Sequence, residues 1–241
     1  MKKPHNPFRD LSRLEWVLWI GSLLGVGCSY LFSPTADLLS MLASLIGVTA
    51  LIFVAKGYVL GQVLTVVFAA FYGIISFHFQ YYGEMITYLG MTAPMAVVAV
   101  ISWLRHPYEE SAEVAVHHLS RRAWLLLSLV TALVTAAFYF LLALLGNANL
   151  IVSTVSVTTS FLASALTFLR SPYYALAYAA NDIVLIVLWI AAAMRDISYI
   201  PMVICFVMFF LNDMYGLYNW RRMARRQRLK MIEPVENVNN R

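Results

Sequence analysis

The chain of 241 residues is 61% hydrophobic and only 12% charged, with a net charge of +5. Soluble domains carry about 25% charged residues, so a water-soluble fold would leave far too much apolar surface in water, and an integral membrane protein is the class that remains. The two cysteines, Cys28 and Cys205, lie in apolar runs without partner spacing, which points to neither a disulfide framework nor a metal knuckle.

In chain order, Lys2, Lys3, Arg9 and Arg13 precede the first apolar run. That run opens near Glu15 and has no small-residue exit, so a retained helix over 14–32 is expected rather than a signal peptide. A helix needs roughly 17–25 residues to cross about 30 Å of hydrocarbon. The further windows of that length are 37–55, 58–78, 82–104, 123–145, 148–168, 173–194 and 197–219. Turn residues separate them, as in "SPTAD" (33–37), "GNAN" (146–149) and "RSP" (170–172). The long polar connection 105–122 carries Glu109, Glu110, Glu113 and the His117-His118 pair. A solvated loop is expected there, with metal binding by the histidines as the alternative.

Charge supports eight spans with both termini in the cytoplasm. Lys2, Lys3, Arg9, Arg13, Lys56, Arg105, Arg121, Arg122, Arg170, the tail from Arg221 to Lys230, and Arg241 then share one side, and Arg195 alone falls outside. The basic tail follows a span directly and suits anionic lipid headgroups rather than nucleic acid.

An internal echo suggests a repeat. "FVAKGYVLGQVLTVVFAAFYGII" (53–75) and "FLASALTFLRSPYYALAYAANDIVL" (161–185) share a basic break, aromatic spacing and paired alanines. The expected fold is all-α and membrane-integral: two parallel three-helix repeats joined by a crossing helix, preceded by one extra helix. The units are a tail and extra helix (1–36), a first repeat (37–104), a loop and connecting helix (105–147), a second repeat (148–220) and a basic tail (221–241). Parallel repeats occur in transporters such as the SWEET sugar carriers.

Polar residues in spans are costly unless they face protein, water or a ligand. Asn212, Tyr215 and Asn219 recur at i, i+3, i+7 and share one helical face, with Tyr218 at its edge. Asp182 and Trp189 coincide on the preceding span, flanked by Asn181. Glu84, Thr87, Tyr88 and Met91 form a third stripe, and Gln62, Thr65, Ala69, Gly73 and Ser76 a fourth. Two stripes of small residues, Ser40-Ser44-Gly47 and Ser153-Ser156-Ser160-Ser164, read as close helix contacts. Trp16, Trp19, Trp103, Trp124 and Trp220 lie near span ends and read as interfacial anchors.

Amides and phenols supply uncharged donors and acceptors for a hydroxylated, ring-bearing solute. Tyr and Trp faces also attract a cationic ring such as a pyridinium. Glu84, Asp182 and Asp213 could complement that charge or act as interfacial or gate groups. No P-loop, no H-E-x-x-H and no late-span lysine for a Schiff base is present. An Asp182/Asp213 protease dyad lacks the Gly-rich surroundings expected of it. No catalytic residue, metal or cofactor is therefore expected, and a facilitator or secondary carrier is favoured over a membrane enzyme or sensor.

Three segments, "NDMYGLYNW" (212–220), "YYGEMITYLGMTAPM" (81–95) and "SPYYALAYAANDIVLIVLW" (171–189), resemble the PnuC family of bacterial nicotinamide riboside transporters over residues 37–222. The resemblance implies a three-plus-one-plus-three core, a homotrimer, and a substrate site in each protomer. It also implies facilitated diffusion of an unphosphorylated vitamin precursor across the bacterial cytoplasmic membrane, with trapping by a kinase inside. Carried over by position, Asn212, Tyr215, Tyr218 and Asn181 become substrate-site or gate residues. One departure is that Tyr174 and Ala177 stand where many members have a W-x-x-W pair. Relatives of the family carry thiamine, riboflavin or deoxynucleosides, so these stay open as substrates, as does a sugar. The residues expected to line the site are Gln62, Glu84, Tyr88, Asn181, Asp182, Trp189, Asn212, Tyr215, Tyr218 and Asn219.

Overall fold

The computed structural model describes residues 6–31, 33, 37–78, 82–109, 111–147 and 149–239. Lys2, Lys3, Glu110 and Arg241, and parts of the turns at 33–37 and 146–149, lie outside the described residues. The helices are α1 (Arg13–Leu31), α2 (Leu38–Ala55), α3 (Val59–His78), α4 (Tyr82–Ile86), α5 (Ala93–Arg105), α6 (Arg121–Leu144), α7 (Leu150–Phe168), α8 (Tyr174–Ala193) and α9 (Ile200–Asn239). A π-helical stretch, Thr87–Thr92, fuses α4 to α5 immediately before Pro94. Proline has no N–H and its ring collides with the carbonyl four residues back, and the wider turn absorbs that defect. Counting that fused unit once, 8 helices are long and apolar enough to cross a membrane, and the fold is all-helical among the described residues.

Local chemistry fixes several boundaries. Asp37 caps α2 by accepting from the Leu39 and Ser40 N–H groups at 3.2 and 2.9 Å, and Ser120 caps α6 by accepting from Ala123 N–H at 3.2 Å. The last span continues as helix far past 219 because its basic run is built from Arg, Met, Ala, Gln, Leu and Lys, all good helix formers.

The ends of α2 and α7 are built alike. After α2, Gly57 turns through φ 70°, donating to Val54 C=O while Tyr58 donates to Phe53 C=O, both at 2.9 Å. After α7, Arg170 takes the same left-handed turn at φ 57°, donating to Thr167 C=O while Ser171 donates to Leu166 C=O, at 3.0 and 2.9 Å. Each end is then held by a tryptophan from a distant helix. Trp220 of α9 donates its indole N–H to Val54 C=O at 2.9 Å, and the neighbouring Asn219 donates to Ala55 C=O at 2.8 Å. Trp103 of α5 donates to Thr167 C=O at 2.9 Å, and the neighbouring Ser102 donates to Phe168 C=O at 3.0 Å. Trp103 and Trp220 are 1% and 0% exposed, so they are not the interfacial anchors expected of tryptophans at span ends. Two helix-end carbonyls, each already accepting one backbone N–H, draw the indole N–H groups inward to a second bond.

The 105–122 connection also departs from a plain solvated loop. Val114 is buried; its N–H donates to Gly57 C=O and the His117 N–H to Arg170 C=O, each at 3.0 Å. The segment thus lies across both left-handed turns. Gln227 of α9 grips it from outside, accepting from Val116 N–H at 2.8 Å and donating to Val114 C=O at 3.1 Å. Arg226 pairs with Glu113, and Lys230 with Glu109. The apolar run Val114-Ala115-Val116 can be buried because its backbone groups find these partners. We call this the basic end of the bundle. Among the described residues no cluster of three or more metal-ligating side chains occurs.

Candidate substrate-binding site

Within the bundle lies a chamber of ≈ 70 Å³. Its polar lining includes Gln62 from α3, Tyr88 from the π-helical stretch, Ser160 and Ser164 from α7, and Asn181 and Asp182 from α8; α9 adds Asp213. Phe68, Phe206 and Phe209 form its apolar wall. Phe209 reaches α2 because position 47 is glycine: a Cβ there would stand 2.6 Å from the Phe209 ring.

Asp182 of α8 and Asp213 of α9, each 3% exposed, both line the chamber. Together they bring two carboxyl groups from neighbouring helices to one wall of the chamber. The Oδ2 oxygen of Asp182 has no partner. No lysine or arginine is among the residues lining the chamber. The small-residue stripe of α7 serves Asn181, whose Oδ1 accepts from Thr159, Ser160 and Ser156 at 2.8, 3.1 and 3.3 Å. Its amide nitrogen is thereby left for the chamber. Gln62 of α3 is 3% exposed and lines the same chamber.

The signature face of α9 points elsewhere. Asn212, 1% exposed, donates to Ser22 of α1 at 2.9 Å and to its own helix at Met208 C=O. Tyr215 donates at 2.7 Å to Glu15 of α1, a carboxylate that also accepts from Lys56 at 3.1 Å and from the Ser12 N–H at 2.6 Å. Close by, Tyr58 donates to Asp10 at 2.8 Å, and burial together with that bond pushes the phenol well above its ordinary range. Asn219 belongs to the clasp on α2, and Tyr218 is 62% exposed on the outer surface. Of the four, Tyr215 and Asn219 line a common hollow of ≈ 190 Å³ beside Glu15 and Lys56, apart from the chamber, while Asn212 meets Ser22 and Tyr218 lies outside. Helix α1 supplies Ser22 and Glu15 to their face, and a partly buried charge–phenol network at that seam holds helices together as well as it could hold a ligand.

The remaining expected residues, Glu84 and Trp189, lie toward the opposite end. There a vestibule of ≈ 470 Å³ is lined by Tyr72, Ser76, Glu84, Asn147, Trp189 and Tyr199, among others. A small space of ≈ 10 Å³, the neck, shares Glu84 with the vestibule and Tyr88 and Ser160 with the chamber. Tyr72, which lines the vestibule, packs against Tyr88 with ring centroids 4.4 Å apart, and Phe68 packs edge-on against Tyr88 at 5.9 Å.

Spacing alone did not place Asp213 at the site, although it named the residue among the acids. A signal was available, since Phe206, Phe209 and Asp213 recur at i, i+3, i+7 and Gly216 follows three residues on. That stripe lies next to the amide face on the same helix.

Comparison with known proteins agrees with this architecture. A family described as Nicotinamide mononucleotide transporter matches residues 37–222. The Nicotinamide riboside transporter PnuC of Neisseria mucosa is 27% identical over 215 residues, covering 87% of this chain and 81% of that protein. The Nicotinamide riboside transporter PnuC of Haemophilus influenzae is 23% identical over 213 residues, covering 87% of this chain and 91% of that protein. A crystal structure of the Vitamin B3 transporter PnuC superposes with a TM-score of 0.78 at 26% identity, covering 90% of this chain and 94% of that one. With the match spanning all the helices from α2 through the apolar part of α9, the chain belongs to the PnuC-type nicotinamide mononucleotide transporter family, whose members are transporters and not enzymes.

Proposed function

We propose that the protein carries nicotinamide riboside through the chamber between α3, α7, α8 and α9. The observation that carries this reading is the Asp182/Asp213 pair with no lysine or arginine among the lining residues. A pyridinium nucleoside brings one positive charge into a cavity lined by two carboxyl groups and by no lysine or arginine. A mononucleotide would add phosphate charge, and desolvating an unpaired charge of that kind is strongly unfavourable. The riboside is therefore favoured over its 5′-phosphate. Gln62 and the Asn181 amide suit the carboxamide and ribose hydroxyls.

At ≈ 70 Å³ the chamber is contracted, since small-molecule pockets generally run from about 300 Å³ upward. The riboside enters as the neck at Tyr88 opens, and leaves after the basic end releases its clasps. The positive-inside rule supports a cytoplasmic basic end, with both termini inside the bacterial cytoplasmic membrane. The matched clasps on α2 and α7 support the division into two parallel three-helix units, 37–104 and 148–220, linked by α6 and preceded by α1. Movement is downhill, with kinase trapping inside, and the assembly is a homotrimer whose contacts draw on exposed apolar faces such as Leu125, Leu129 and Leu133 of α6.

Labelled nicotinamide riboside supplied to liposomes containing the purified protein tests the reading. Uptake above protein-free vesicles, without uptake of the 5′-phosphate, is the expected result. Entry of a deoxynucleoside while the riboside stays outside would overturn it.

A further inference from the structure

The vestibule has a chemistry of its own, separate from the chamber. Trp189 is 8% exposed, lines the cavity, and its indole N–H has no partner. Every other described tryptophan so deeply buried donates that proton to a backbone carbonyl, as Trp103 and Trp220 do. The Trp189 ring lies 5.5 Å from Tyr199 at 43°, giving an aromatic wall. Across the cavity, Glu84 forms no ion pair with any described residue, and it lines both the vestibule and the neck. Asn147, anchored by its own bond to Ser153 at 2.7 Å, supplies an oriented amide beside it. Arg195 stands at the exposed rim.

We propose that this vestibule is a first docking subsite for a cationic aromatic ring bearing a carbonyl group. The Trp189 face and the Glu84 carboxylate receive the ring charge, and the unpartnered indole N–H donates to the carbonyl oxygen. An aromatic face and a carboxylate both attract a ring cation. A cavity of ≈ 470 Å³ accepts a whole nucleoside, whereas the chamber does not in this conformation. The subsite therefore loads the substrate before the neck opens. Glu84 then hands the charge past Tyr88, which lines both neck and chamber, to the aspartate pair. This inference rests on the transport reading for its place in a cycle, but its binding chemistry can be tested without flux.

The test uses calorimetry on the purified full chain in detergent with 1-methylnicotinamide, the ring cation without its sugar, and with neutral nicotinamide. The cation should bind more tightly than the neutral ring. Glu84→Gln should weaken cation binding about fivefold and abolish that preference, and Trp189→Ala should weaken both probes, magnitudes in line with a cation held at an aromatic face. In vesicles, Glu84→Gln should raise the KM for riboside uptake with little change in maximal rate. Equal binding of the two probes, or a charge preference untouched by Glu84→Gln, would overturn the subsite. Wild-type protein that binds the cation yet transports no riboside would uphold the subsite and overturn the transport reading instead.

Discussion

The two ends of the bundle use tryptophan in opposite ways. At the basic end, Trp103 and Trp220 are buried, bonded through their N–H groups to the Thr167 and Val54 carbonyls near the ends of α7 and α2, with the 114–117 run lying across both turns. At the other end, Trp189 keeps its N–H unpaired beside an open vestibule. A satisfied indole is a structural clasp; an unsatisfied one beside a cavity is a receptor for an incoming acceptor, because a buried donor without a partner costs about 1–3 kcal/mol. On the proposed reading, the clasped basic end is the closed side and the vestibule the open side.

The largest expected effect breaks a clasp. Trp220→Ala removes a wholly buried ring and its bond to Val54, and should lower stability by about 3–5 kcal/mol. Trp189→Ala should cost distinctly less. Thermal unfolding in detergent makes the comparison; equal losses would erase the distinction between the two ends.

An intermediate effect concerns the α1 seam. Asn212→Ala leaves Ser22 without its partner, and Tyr215→Phe takes a donor from the Glu15 carboxylate. Each should destabilise by about 1–3 kcal/mol, while the KM for riboside stays at the wild-type value. A raised KM with unchanged melting would return these residues to the substrate site.

The smallest effect belongs to the outside of the 105–122 connection. Arg226, whose side chain is 52% exposed, pairs with Glu113 in solvent, so Arg226→Ala should change stability by about 0–1 kcal/mol. Limited proteolysis of the 107–118 segment should be nearly unaffected, because Gln227 still holds the backbone of Val114 and Val116.

The helices were legible in the sequence because hydrocarbon thickness fixes span length, and the observed spans begin and end within a few residues of the apolar windows, except that α9 runs on into its basic tail. The site was only partly legible. Periodicity puts Asn212, Tyr215 and Asn219 on one face but does not say which neighbour meets that face, and α1 supplies Ser22 and Glu15 to meet it. Gln62, Tyr88, Asn181 and Asp182 do converge on the chamber, and Asp213, weighed beside Asp182 only as a protease dyad, joins them there once α8 and α9 pack. The packing of the 105–122 connection escaped notice for a similar reason. A polar segment with three glutamates reads as solvated, yet the short apolar run at its centre bridges two distant helix ends.

The central claim, that the aspartate pair selects a ring cation and rejects a phosphate, is tested most directly by Asp213→Asn in liposomes supplied with nicotinamide riboside and with its 5′-phosphate. Initial rates should show wild-type protein strongly favouring the riboside, and the variant losing riboside uptake by about tenfold, the worth of one charge-assisted contact near 1.4 kcal/mol. Wild-type discrimination and rate retained in Asp213→Asn would contradict the account.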